Sequence, residues 1–302
     1  MTDTIITKQN TQLGFIGLGL MGSRFIRRLH ATGWKIQGWN RSPEPAQSLS
    51  RDGIPVADSL AKLTADSAVV LSCLGNDAAV QAVYFDEGGV FSAVKPGTII
   101  LEMSTISPEL SRLLHQEAER RGALLIDLAV SGSTAAVEAG TITLLAGGDP
   151  DTFSQCEPIY ESIAKQWFLM GPATCGIRMK LVVNLLLGVN MQAIAEAISL
   201  GEHLRIEREV LLDVLSRTAV IAPAFVGKFQ KIKDNDYSPQ FPLRLMSKDL
   251  DLVDKAAKLS GAQLPAAKVA KSIYASIASS SGDLDMSAIT PYVGHYLDSH
   301  KQ

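Results

Sequence analysis

A doubly wound α/β domain built on a parallel sheet, followed by a second, all-α domain, is the fold class this sequence predicts. Three observations predict it. Short apolar runs alternate with helical stretches from Leu13 to about Gly171. A glycine-rich turn joins the first run to the first helical stretch. Beyond Gly171-Pro172 no convincing run of strand length remains, and long Ala/Leu-rich segments take over. At roughly 150 residues per domain, the 302-residue chain divides into a polar tail at 1–12, an α/β domain at 13–172 and a helical domain at 173–302.

The elements follow in order. Leu13 to Gly17 is the first strand, and the stretch from Ser23 to about Ala31 is its helix. Further strands are expected at Lys35–Trp39, Ala68–Cys73, Thr98–Glu102, Leu124–Asp127 and Thr141–Ala146, most of them in parallel order. Ser107-Pro108-Glu109 supplies an N-cap, a proline at the first helical position and an early acid, and Gly122 stops that helix. In the second half, the helix from Met179 to about Leu204 is apolar on nearly every face, so burial in a domain centre or a subunit interface is expected. Polar turns at Asp234-Asn-Asp236 and Ser279-Ser-Ser-Gly282 are expected to separate the later helices.

Composition excludes several classes of function. With 28 Lys+Arg against 31 Asp+Glu, net charge −3, there is no basic field for nucleic acid. Cys73, Cys156 and Cys175 are an odd set without C-x-x-C spacing, which argues against disulfides or zinc and for a reducing cytoplasm. The histidines, His30, His115, His203, His295 and His300, have no metal-ligand or triad spacing. Strictly apolar runs fall far short of the ~20 residues of a membrane span. The N-terminus lacks a signal-peptide core.

The turn reads Gly17-Leu18-Gly19-Leu20-Met21-Gly22, directly after a strand and opening a helix. In that context Gly17 allows a tight turn, Gly19 lets a pyrophosphate approach the backbone, and Gly22 packs helix on strand, as in a Rossmann-type dinucleotide site. The second strand ends in Asn40-Arg41-Ser42, with no carboxylate to accept from a ribose 2′-hydroxyl. A guanidinium fork and neutral donors suit a 2′-phosphate, so NADP(H) is expected over NAD(H). The cofactor-binding set extends to Cys73 and Leu74 at the end of the third strand. In the apolar helix, Lys180 and Asn184 stand at i and i+4 and share one face. Burial lowers a lysine's pKa toward neutrality, which suits it to exchange a proton with a carbonyl or hydroxyl oxygen as hydride moves. A lysine snorkelling into solvent is the plainer alternative.

Six ordered motifs resemble the β-hydroxyacid dehydrogenases, the family of hydroxyisobutyrate dehydrogenase and of NADPH-dependent glyoxylate/succinic semialdehyde reductases. They are residues 14–22, Asn40-Arg41, 103–108, 127–133, 176–184 and Lys248-Asp249-Leu250. The resemblance implies that Lys180 is the acid/base, Asn184 contacts substrate, and Ser131-Gly132-Ser133 holds the substrate carboxylate. It further implies that Thr105 lies by the nicotinamide and that Lys248 closes over cofactor and substrate. Apart from the resemblance, Ser131–Ser133 is an ordinary turn and Lys248-Asp249 a solvated charge pair. Ala129 stands where the family usually has proline, and Ser133 and Thr174 stand where it usually has glycine. The substrate pocket is therefore expected to differ from that of common members.

The resulting expectation is an NADP(H)-dependent oxidoreductase of a small β-hydroxy acid, semialdehyde or glyoxylate-like substrate. It is expected to be a cytoplasmic homodimer or homotetramer without metal, nucleic-acid or membrane partners, with the helical domain completing the site. Imine reductases share the architecture and the Asn-Arg signature but generally lack the lysine. Phosphogluconate dehydrogenase has a much longer helical half. A catalytically silent dinucleotide-binding module is the alternative from another class.

Overall fold

The computed structural model describes residues 6–293, which divide after Lys180 into two compact units. The first unit holds β1 (Gln12–Ile16), α1 (Gly22–Ala31), β2 (Lys35–Trp39), α2 (Pro43–Arg51), α3 (Leu60–Asp66), β3 (Val69–Ser72), α4 (Asp77–Phe85) and α5 (Val90–Ala93). It continues through β4 (Ile99–Glu102), α6 (Pro108–Arg120), β5 (Leu124–Ser131), α7 (Thr134–Ala139), β6 (Ile142–Gly147), α8 (Pro150–Gln155), α9 (Glu157–Ile163) and β7 (Ala164–Leu169).

The seven strands form one sheet in the order β2-β1-β3-β4-β5-β6-β7, parallel except where β6 runs against β5. Alternation along the strands explains why helices cover both faces. Leu13, Phe15, Val69, Leu71, Ile99 and Leu101 join one core with Phe25 and Ile26 of α1. Ile16, Val70 and Ile100, next to them in sequence, join the opposite core with Leu63, Tyr84 and Leu114. Each such fully buried side chain contributes roughly 1.5–3 kcal/mol. Strand order reverses between β1 and β3, so the crevice for a ligand opens at their carboxyl ends.

Strand β7 is absent from the pattern read in the sequence. It has β6 as its partner, and its residues Lys165, Gln166 and Phe168 are exposed, so no inward-outward alternation marks it. Ser107 caps α6 as expected, accepting from Leu110 N at 3.2 Å.

The second unit is helical: most of α10 (Cys175–His203), then α11 (Arg208–Ser216), α12 (Pro223–Lys233), α13 (Leu243–Ser260), α14 (Pro265–Ser281) and a single 3₁₀ turn at Met286–Ala288. Its core gathers Met191, Ile194, Ala195 and Ile198 of α10 around Phe225, Phe229, Met246, Tyr274 and Ile289. By length and composition alone α10 is long and apolar enough to cross a membrane. That inward face instead packs in a protein core, while Val182, Leu186 and Leu200 stay exposed, so burial is not all-round.

Ser279, Ser280 and Ser281 close the last turn of α14 and do not form a loop. The Ser279 and Ser280 hydroxyls donate back to the carbonyls of Ser276 and Ile277, which lets a serine run finish a helix. His295 and His300 lie outside the described residues.

Candidate active site

The three glycines of the first turn are required for three different reasons. Gly17 has φ +90°, and a Cβ there would stand 2.4 Å from Cys73 O, so the turn presses against the end of β3. A Cβ on Gly22 would lie 1.8 Å from Gly17 O, so helix and turn pack without room for a side chain. Gly19 differs: its φ is not positive, it is exposed, and a Cβ there would meet nothing within 4 Å. No protein atom requires a glycine at 19, and the backbone there is open to an approaching ligand. Leu20 and Met21 complete the turn, half-buried. The first turn of α1 has no side-chain cap and no acidic residue, so the positive end of its dipole suits an anion.

At the end of β2, Asn40 serves the turn. Its Oδ1 accepts from Leu18 N at 2.9 Å, and its Nδ2 donates to Ser42 O at 3.0 Å. Both polar ends are used, so Asn40 ties the glycine turn to the 40–42 turn. Arg41 and Ser42 are exposed, and the Ser42 hydroxyl makes no cap bond to α2 although it occupies the N-cap position.

The next two strand ends are locked together below the surface. Leu74 N donates to Ser104 Oγ at 2.8 Å, and Ser104 N donates to Glu102 Oε1 at 2.8 Å. Ser72 Oγ hydrogen-bonds Glu102 Oε2 and lies 2.6 Å from Tyr84 OH. Burial raises the Glu102 carboxyl above its ordinary value, against the Ser104 and Ser72 hydrogen bonds that favour its ionised form. This buried network fixes Cys73 and Leu74 beside Ser104 and Thr105, at the carboxyl edge. Sequence reading missed it, although an acid ending the apolar run Ile99-Ile-Leu-Glu102 was a signal.

Ser131 is the last residue of β5, and Gly132 and Ser133 follow it. Ser133 Oγ accepts from Ala136 N at 3.3 Å and so caps α7, while its own O–H proton remains a donor. Ala129 sits within β5 opposite Leu145. Thr174 has φ +75°, the conformation that explains a glycine preference at that position.

Lys180 is 8% exposed and lies in the second turn of α10. One turn on, Asn184 is fully buried, and its Nδ2 donates to Asp249 Oδ2 of α13 at 2.6 Å. Asn184 Oδ1 has no hydrogen-bond partner among the described residues, an omission worth ~1–3 kcal/mol in a buried acceptor. Lys248 Nζ stands 3.0 Å from Asp249 Oδ1, in an ion pair whose angle falls outside a hydrogen bond. Lys248-Asp249 is therefore not a solvated pair: Asp249 is 2% exposed.

Close approach of α10 and α13 brings Asn184 and Asp249 together. A Cβ on Gly188 would lie 2.9 Å from Met246 Sδ. Asp249 is the site residue that sequence reading overlooked, since its partner lies 65 residues away.

A phosphate-binding turn left open at the switch point of a doubly wound sheet defines the class, a nicotinamide-dinucleotide-dependent oxidoreductase. Comparison with known proteins agrees. Residues 12–171 match the NAD binding domain of 6-phosphogluconate dehydrogenase, and residues 175–293 match the NAD-binding domain of NADP-dependent 3-hydroxyisobutyrate dehydrogenase. Glyoxylate/succinic semialdehyde reductase 1 of Arabidopsis thaliana is 31% identical, over 92% of this chain and 96% of the relative. The NAD-dependent L-serine dehydrogenase of Pseudomonas aeruginosa is 33% identical, over 87% and 91%. The solved structure of Mycobacterium tuberculosis 3-hydroxyisobutyrate dehydrogenase with L-serine is 32% identical with a TM-score of 0.81, covering 94% and 99%. The chain belongs to the β-hydroxyacid dehydrogenase family.

Proposed function

We propose that this protein is an NADPH-preferring reductase of a small aldehyde or keto acid. In reverse it oxidises the corresponding β-hydroxy acid, with Lys180 as acid/base. The observation that carries the reading is the buried Lys180 one helical turn from Asn184, whose buried carbonyl oxygen lacks a donor. Bound NADP(H) supplies or accepts the hydride. In reduction the Lys180 ammonium gives a proton to the oxygen that gains negative charge; in oxidation the neutral amine takes the hydroxyl proton. Asn184 Oδ1 accepts from a substrate hydroxyl or from the lysine, and Asp249 fixes the amide so that this oxygen is presented. Ser131–Ser133 offers hydroxyl and backbone N–H groups to the substrate carboxylate. The family resemblance assigns Thr105 to the nicotinamide and Lys248 to closing over cofactor and substrate.

Preference for the 2′-phosphate rests on Arg41, exposed and without an ion pair among the described residues, and on the absence of a carboxylate at 40–42. Leu200, Leu204, Ile206, Val210 and Val214 leave an exposed apolar patch on the second unit, which suits a homodimer or homotetramer. The cysteines are free, with burial pushing the Cys156 thiol up to about 12, in keeping with a reducing cytoplasm.

The test is cofactor consumption with glyoxylate, succinic semialdehyde, methylmalonate semialdehyde and a cyclic imine, on a preparation sized by light scattering. The expected result is an oligomer that turns over a carbonyl acid at least about tenfold better with NADPH than with NADH, a difference of ~1.4 kcal/mol. Turnover of the imine alone, or NADPH binding without any turnover, would overturn the reading.

A further inference from the structure

The start of α10 is held by one side chain. Asp127, 3% exposed, points from β5 into the turn that opens the helix. Its Oδ1 accepts from Thr174 N at 2.8 Å and its Oδ2 from Ile177 N at 2.8 Å. His115 Nε2 of α6 lies 2.9 Å from Oδ1, and a carboxylate oxygen can only accept, so the imidazole donates. Three donors from two elements thus converge on one buried carboxylate. The contact is tight: a Cβ on Gly147 would stand 2.7 Å from Asp127 Oδ1 and from the N atoms of Cys175 and Gly176. A Cβ on Gly176 would stand 2.5 Å from Asp127 O and Leu145 O. Thr174 is held in its left-handed conformation at this same point.

Lys180 lies three residues beyond Ile177, about 4.5 Å along the helix axis. Ser131–Ser133 ends the strand that carries Asp127. We propose that Asp127 is a positioning residue for Lys180: by seating the N-terminus of α10 on β5, it sets the lysine's place relative to the substrate segment of the same strand. This rests on the acid/base reading of Lys180. Asparagine at 127 has the same shape but a single acceptor oxygen, and its NH₂ would face donors. The first turn of α10 then loses at least one anchor, while nothing in the glycine turn or at Arg41 is touched.

The test is a double-mutant cycle of Asp127→Asn with Lys180→Ala, read as kcat and as NADPH Kd by fluorescence titration. A misplacement on the order of 1 Å at an acid/base group lowers turnover up to ~10²-fold. Asp127→Asn is expected to lower kcat roughly 10- to 10²-fold with NADPH Kd changed by less than about threefold. In the Lys180→Ala background the same substitution is expected to change the residual rate by less than about threefold, because the group it positions is gone. Equal losses in both backgrounds, or a normal kcat in Asp127→Asn where Lys180→Ala is inactive, overturn the proposal. Normal turnover in Lys180→Ala overturns the acid/base reading instead. Should Asp127→Asn fail to fold, His115→Ala removes one donor and keeps the carboxylate. A several-fold kcat loss that vanishes in the Lys180→Ala background supports the proposal, and a loss that persists there overturns it.

Discussion

Helix α1 begins with no side-chain cap and no acid in its first turn, whereas α10 begins on the buried carboxylate of Asp127. Both helices point the positive end of a dipole at their first turn. At α10 the chain supplies the anion itself, and the helix is seated. At α1 it supplies none, and Gly19 keeps the approach clear. At α10 the helix start is completed from within; at α1 the incomplete start leaves room for an anion. Elsewhere in the first unit Asn76, Ser107 and Asp149 cap α4, α6 and α8 with their own side chains, while α2, α5 and α9 have no side-chain cap.

The sharpest way to break this contrast is to fill the open end. Gly19→Ala should weaken NADPH binding about a hundredfold, ~2.7 kcal/mol, with the melting temperature unchanged because a Cβ there meets no protein atom within 4 Å. Gly22→Ala should instead lower the melting temperature, since its Cβ collides with Gly17 O. Calorimetry and fluorescence titration read both, and loss of stability in Gly19→Ala would show that the space at 19 is not a ligand's. A smaller effect is expected at the outer edge of the same site. Arg41→Ala should weaken NADPH about tenfold, ~1.4 kcal/mol, and leave NADH nearly unchanged; equal losses with both cofactors would remove the 2′-phosphate assignment.

The same contrast shows what was legible in the sequence. The glycine turn is local: strand, glycines and helix follow within a dozen residues, and the meaning of each position is fixed by its neighbours. Six strands were legible because runs such as Ala68-Val-Val-Leu71 are apolar on both faces, as a sheet covered by helices on each side demands. Edge strand β7 was not, because exposure of Lys165 and Gln166 blurs its pattern. Lys180 and Asn184 were legible by their spacing on one helix. The groups that hold their helices were not: Asp127 meets Thr174 and Ile177 across about 50 residues, and Asp249 meets Asn184 only through the packing of α13 on α10. Asn40 was placed correctly at the end of β2, but its use in bracing Leu18 depends on a hydrogen bond that no spacing rule carries.

The central claim is that the unfilled helix end takes the cofactor while the seated helix carries the proton. Turnover and NADPH affinity measured together in Lys180→Ala and Lys180→Arg test it most directly. The expected result is a kcat lowered roughly 10²- to 10⁴-fold in the alanine variant and almost as far in the arginine variant, whose guanidinium keeps its proton, with NADPH binding retained in both. Near-normal turnover in either variant with the best substrate, or loss of NADPH binding in step with turnover, would contradict the account.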